Sequence, residues 1–143
     1  MQRFVSAVVL VSALLVAHTI QSKEKDAKAS SKKGEATLSF KSDVFPVIKK
    51  RCLPCHAEDN FNPSELSMDS YSSMKQGGKH GTPWLEGKSK ESLIIRKLSE
   101  NPPFGDRMPL NSKRKISEGK AVWLTPDEIR TIAEWIDQGA KDN

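Results

Sequence analysis

Cys52 and Cys55 are the chain's two cysteines, and His56 directly follows the second in Arg51-Cys52-Leu53-Pro54-Cys55-His56. Thiols at this C-x-x-C-H spacing can each add to one vinyl group of a single porphyrin, while the adjacent imidazole coordinates its iron. The motif predicts one covalent haem c, attached at Cys52 and Cys55, with His56 as the proximal iron ligand. Two other readings use the same cysteines. A thioredoxin-like dithiol belongs beside a β-α-β pattern, and the sequence has no convincing alternating strands. A zinc site would need Cys52, Cys55 and His56 to converge with the distant His80, without a second paired cluster.

A haem iron held by His56 has a sixth position, for which Met68, Met74, Met108 and His80 are the ordinary strong-field candidates. Met108 is the expected distal ligand. It lies in Asn101-Pro102-Pro103-Phe104-Gly105-Asp106-Arg107-Met108-Pro109, a loop whose prolines restrict the backbone enough to present a thioether. Met68 and Met74 are expected to pack in the core. His80, between Gly78 and Gly81, is expected in an exposed polar loop; as a ligand it would lower the reduction potential relative to His/Met.

These residues need elements to position them, and the pattern is helical with long Gly- and Pro-containing loops. A first helix, capped by Ser42 with Asp43 and Pro46 in its first turn, is expected to run toward Cys52, with Lys49, Lys50 and Arg51 at its end. Asp69 to Gln76, stopped by Gly77 and Gly78, and Ser89 to Ser99 are two further candidates. The last helix is the clearest. Thr125 caps it, Pro126 opens it, Glu128 completes a capping box, and Ile129, Ile132, Ala133 and Ile136 form its apolar stripe until Gly139. Trp84, Trp123 and Trp135 are expected to pack between helices, with walling the porphyrin as the alternative. Lys113, Arg114, Lys115 and Lys120 read as a solvated basic loop.

Residues 1–22 read as a secretory signal: a basic start, then an apolar run from Phe4 to Ala17 that is shorter than the ~20 residues of a spanning helix. Membrane association is expected only if that segment is retained. Residues 23–36, rich in Lys, Ser and Ala, read as a flexible linker. Residues 37–143 are then one small domain, near the size at which an apolar core alone becomes thin and a large buried cofactor helps. Charged residues make up 29% of the chain and leave a net +5, with Lys and Arg interleaved with Asp and Glu, which reads as a solvated surface; the functional alternative is a lysine-rich face that docks a redox partner protein through an acidic face. Nucleic acid is not expected, since no recognition motif accompanies the charge.

Beyond the haem motif, the chain resembles the planctomycete-type c-type cytochrome domain, a branch of the class I-like monohaem cytochromes, from about Phe40 to Ala140. The resemblance is carried by Leu66-Ser67-Met68-Asp69-Ser70-Tyr71, Gly77-Gly78-Lys79-His80-Gly81, Ser92-Leu93-Ile94-Ile95-Arg96, Arg107-Met108-Pro109 and Trp135-Ile136-Asp137-Gln138-Gly139-Ala140. It implies an all-α fold wrapped around one haem, Met108 as iron ligand, and first and last helices that cross beside the porphyrin. Leu110 departs from the family's second proline, and the connection from Ser112 to Lys120 is longer and more basic. The expectation is a periplasmic or secreted single-electron carrier with His56/Met108 ligation, not an enzyme. The alternatives are a small peroxidase-like haem enzyme, with His80 as distal acid–base group, and a haem-based redox or gas sensor.

Overall fold

Ser39 opens the first helical segment. Its hydroxyl accepts from the Ser42 amide at 3.3 Å, and Asp43 reaches back to accept from the Ser39 amide at 2.7 Å, a reciprocal cap at the chain entry. In this computed structural model residues 36–143 are described; the expected signal, 1–22, and all but the last residue of the expected linker, 23–36, lie outside the described residues.

A π-helical turn, Phe40–Val44, follows the cap and leads into α1, Phe45–Arg51. The wide turn has a local cause: Pro46 lacks an N–H and would crowd the carbonyl four residues before it in a tight α-turn. The cap therefore falls three residues earlier than the expected Ser42. The gain is burial of Phe40, which packs on Phe45, Tyr71 and Trp135 with ring centroids 5.6, 5.3 and 5.5 Å away.

α2 is one turn, Leu53–His56, and α3 runs Tyr71–Gln76, capped by Ser70 and ended by Gly77 at φ 78°. The expected helix from Ser89 to Ser99 is split. A 3₁₀ turn, Ser89–Glu91, is separated from α4, Leu93–Leu98, by Ser92 in an extended conformation. The fully buried Ser92 hydroxyl accepts from the Leu85 amide and donates to the Lys88 carbonyl, both at 2.8 Å, so its local bonds replace a helical turn. A short α5, Lys113–Ser117, lies where a basic loop was expected; the Ser112 hydroxyl caps it and its residues are exposed. α6, Pro126–Asp137, has the expected Thr125/Glu128 capping box. The described residues contain no named strand, and the fold is all-α, as expected.

α6 packs against the π-helical turn, the 3₁₀ turn and α4. Ile132, Trp135 and Ile136 are its buried face, and Trp135 meets Trp84 edge-on at 5.1 Å. Two of the cluster's polar atoms bond to the chain's end: Trp135 Nε1 donates to the Lys141 carbonyl and Tyr71 Oη to that of Ala140, each at 2.9 Å. Met68 and Met74 are buried in the same core, as expected.

α1 is tied to α6 where it matters most. Arg51, one residue before Cys52, donates from Nε to both Glu128 oxygens at 3.1 Å and from Nη2 at 2.9 Å. Burial by itself would raise the Glu128 carboxyl, but the Thr125 amide, Arg51 and Lys50 together hold it below the usual carboxylate value. A carboxylate held low stabilises the fold above its unfolded-state pKa, and that contribution disappears as pH falls through the folded-state value. Glu128→Gln is therefore expected to lose about 1.5–3 kcal/mol at pH 7, the value of a hydrogen bond to a charged group. In urea unfolding the gap between wild type and variant should close as the pH is taken below the ordinary carboxylate range; a gap that stays constant would exclude the ion pair as its origin.

Candidate functional site: an apolar cavity edged by the C-x-x-C-H turn

The motif is presented by a helix end. Cys52 terminates α1, and its carbonyl accepts from both the Cys55 and His56 amides, at 3.0 and 2.9 Å, closing the single turn of α2. Pro54 fits this turn because an amide so near a helix start has no intrahelical partner. Cys52 faces inward while Cys55 is exposed. Burial pushes the Cys52 thiol up to about 12, against the pull of Arg51 and with a further push from Cys55. A thioredoxin-like pair needs the opposite, a thiol with a depressed pKa.

The His56 ring is oriented by a backbone acceptor. Nδ1 lies 3.1 Å from the Leu66 carbonyl, which also accepts from Asn62 Nδ2 at 2.6 Å. With Nδ1–H donating, Nε2 carries the free lone pair that a metal requires, a standard means of fixing the tautomer of a ligating histidine. Asn62 is itself held in an Asx turn, its Oδ1 accepting from the Ser64 amide and hydroxyl. Gly78 lies flat against this segment. A Cβ there would sit 2.4 Å from the Ser64 carbonyl oxygen and 2.8 Å from the Leu66 nitrogen.

The methionine loop is attached to the end of α4, where a helix leaves carbonyls without intrahelical partners. The Met108 amide donates to the Lys97 carbonyl at 2.8 Å, and Arg107 Nε donates to that of Leu98 at 2.9 Å. The Arg107 guanidinium also lies over the Trp123 ring, 4.3 Å from its centroid. Trp84 and Trp135 belong to the aromatic core on α6, as expected of packing tryptophans.

Cys52, Cys55, His56 and Met108 line one cavity of about 430 Å³. Its walls are mainly apolar, with Leu66, Met68, Ile94 and Leu98 among them, and the exposed side chains of Phe61, Phe104 and Leu110 also border it. His80 lines it too. As expected it is exposed, yet its ring also stacks on Phe104 at 4.3 Å. Paired thiols, an imidazole with an oriented lone pair, a thioether and an apolar enclosure are the donor set and surroundings that suit a haem c. Among the described residues no group of three or more His, Cys, Asp or Glu side chains converges as a metal site, against the zinc reading.

A helical shell around such a cavity defines a haem-binding cytochrome c domain. The family model described as Planctomycete cytochrome C matches residues 52–109, from the first motif cysteine through the methionine loop. The hydrazine synthase subunit alpha of Kuenenia stuttgartiensis is 27% identical over 75% of this chain. The chain spans 16% of that relative's length. A solved structure of Kuenenia stuttgartiensis hydrazine synthase aligns with a TM-score of 0.45 at 25% identity, covering 72% of this chain and 16% of that one.

The expectation that the chain is not an enzyme is corrected by this relative, a subunit of a synthase. The physical reason is that a C-x-x-C-H turn and a possible sixth ligand describe how haem is held. They do not distinguish a free carrier from a haem module belonging to a catalyst. Among the described residues no helix is long and apolar enough to cross a membrane.

Sequence reading found the motif and the methionine loop because both carry distinctive side chains. It missed Asn62 and the Leu66 carbonyl, Arg107's bond and the role of α4's end. Asn62-Pro63-Ser64 was a readable Asx-turn signal; backbone acceptors have none. Gly78→Ala should displace the Ser64–Leu66 segment and with it the His56 acceptor. A loss of about 2 kcal/mol or more in thermal unfolding is expected, as for overpacking against backbone. The His56 Nδ1–H resonance should move in the same variant; an unperturbed protein would show that the contact is not tight.

Proposed function

We propose that this chain is an exported single-electron transfer module holding one haem c, attached through Cys52 and Cys55 and ligated by His56 and Met108, in the service of a redox enzyme. The observation that carries the reading is the convergence of the motif residues and Met108 on one apolar cavity. The similarity to an enzyme subunit supports a catalytic setting in place of an isolated carrier.

Bound there, haem supplies reversible one-electron exchange at its iron. The chain's residues do the rest. Cys52 and Cys55 anchor the group, so it is not lost when its charge changes. Leu66's carbonyl holds Nδ1–H of His56 and makes Nε2 the better donor. Met108, fixed through the Lys97 carbonyl, offers a thioether, which favours the reduced state and a higher potential than a second imidazole would. Apolar walls keep water away and raise the cost of the oxidised centre's extra charge. Cys55 and the exposed Phe104 and Leu110 leave one border open toward solvent, where an acidic redox partner is proposed to dock.

A second reading rests on His80, which lines the same cavity and could act as a distal acid–base group in peroxide chemistry. Peroxide turnover that falls on His80→Ala would favour it.

The deciding measurement is the absorption spectrum of the exported, haem-loaded protein, oxidised and reduced, for wild type and Met108→Ala. A weak far-red band in the oxidised wild type, lost in the variant, is the expected result, together with a lower reduction potential in the variant. An unchanged spectrum would remove Met108 as ligand, and a chain without covalent haem would overturn the reading as a whole.

A further inference from the structure

Lys97 has more to do with the methionine loop than with solvent. It sits in the last turn of α4, and its side chain turns across the loop that follows. Nζ donates to the Phe104 carbonyl and to the Asp106 carbonyl, each at 2.6 Å, and lies 4.8 Å from the Phe104 ring centroid, over its face. Its own carbonyl accepts the Met108 amide at 2.8 Å. One residue therefore holds the loop at 104, 106 and 108, by an ammonium on two carbonyls and by a backbone bond. The side chain also borders the cavity.

The arrangement is asymmetric in a useful way. The backbone bond to Met108 survives any substitution at position 97 except proline, whereas the two ammonium bonds depend on the side chain. The loop residues themselves make few competing bonds: Gly105 has φ 55°, and Asp106 is exposed. Without the ammonium, the Phe104 and Asp106 carbonyls would turn to water and the segment before Met108 would lose its anchor. Charge-assisted hydrogen bonds of this kind are stronger than neutral ones.

We propose that Lys97 is the positioning residue for the sixth iron ligand: its ammonium gathers the Phe104–Asp106 turn so that Met108 is presented to the haem, and it thereby sets how readily an outside ligand displaces the thioether. The inference rests on the His56/Met108 reading and adds to it a control on ligand exchange. Arginine can retain a cation and two donors here. Methionine and glutamine remove the charge while keeping most of the length.

The test uses the exported haem-loaded protein as wild type, Lys97→Met, Lys97→Gln, Lys97→Arg and Met108→Ala. The far-red band of the oxidised form reports the Met108 bond, and imidazole titration reports how easily it is displaced. Helical circular dichroism and covalent haem content check the fold. With both checks unchanged, Lys97→Met and Lys97→Gln are expected to weaken the far-red band and bind imidazole about ten-fold more tightly or better, the equivalent of about 1.4 kcal/mol. Lys97→Arg should restore most of the band. Lys97→Gln serves alone if Lys97→Met does not accumulate. If Met108→Ala loses the band while the uncharged Lys97 variants keep both band and imidazole affinity, the positioning role is overturned and the ligand assignment stands. If wild type has no band, or Met108→Ala leaves it intact, the ligand assignment fails and this inference with it.

Discussion

Glu128 serves two helices at once, and the presentation of the motif depends on it. Its carboxylate accepts from the Thr125 amide, closing the N-terminus of α6, and grips the Arg51 guanidinium at the end of α1. Arg51 precedes the first motif cysteine, so the same contact that starts the last helix fixes where the C-x-x-C-H turn leaves the first one. With most of both side chains withdrawn from water, the pair is less screened than a surface ion pair, and either partner alone would be left as a poorly solvated charge. The fold can in this way hold two short segments, α1 and the one-turn α2, at a defined angle despite their length.

The division of labour across the domain follows from that anchor. One side is an aromatic core in which Phe40, Tyr71, Trp84 and Trp135 meet at tilted and edge-on angles and carry much of the packing. The other side is the cavity, whose boundary comes largely from loops held by backbone hydrogen bonds. A helical scaffold so small leaves little else to close a site, and each closing loop is fastened to a helix end or to a neighbouring loop: Leu66 to His56, Gly78 to Ser64–Leu66, Met108 to the end of α4.

Much of this was legible in the sequence where the signal is a side chain with one strong preference. The capping box at Thr125 and Glu128 and the stop at Gly77 fall in that class, as does the clustering of Cys52, Cys55 and His56 at the end of the first helix. Other features were settled by tertiary structure. The first helical segment begins at Ser39 and not Ser42 because Pro46 widens the turn before α1 and the longer entry lets Phe40 fill an aromatic pocket, a gain that local propensity does not register. The helix expected across Ser89 to Ser99 breaks at Ser92 because that hydroxyl has two buried backbone partners. α5 went unread because its residues are exposed and have no apolar stripe, leaving Ser112 as its one cue. Lys97 looked like one more surface cation, since nothing in a sequence reveals that two carbonyls wait within reach of an amine. The motif likewise left open whether the haem serves a carrier or a catalyst, a distinction that lies in what surrounds the domain.

Residues at the two ends of the described domain meet. The Lys41 amide and the Ser39 hydroxyl both donate to the Asn143 carbonyl, the Phe40 amide to the Asn143 side chain, and the Leu38 amide to that of Gln138. A unit whose chain enters and leaves at one point can be spliced into a host protein as a cassette, because the host's two flanking segments need not be pulled apart to accommodate it.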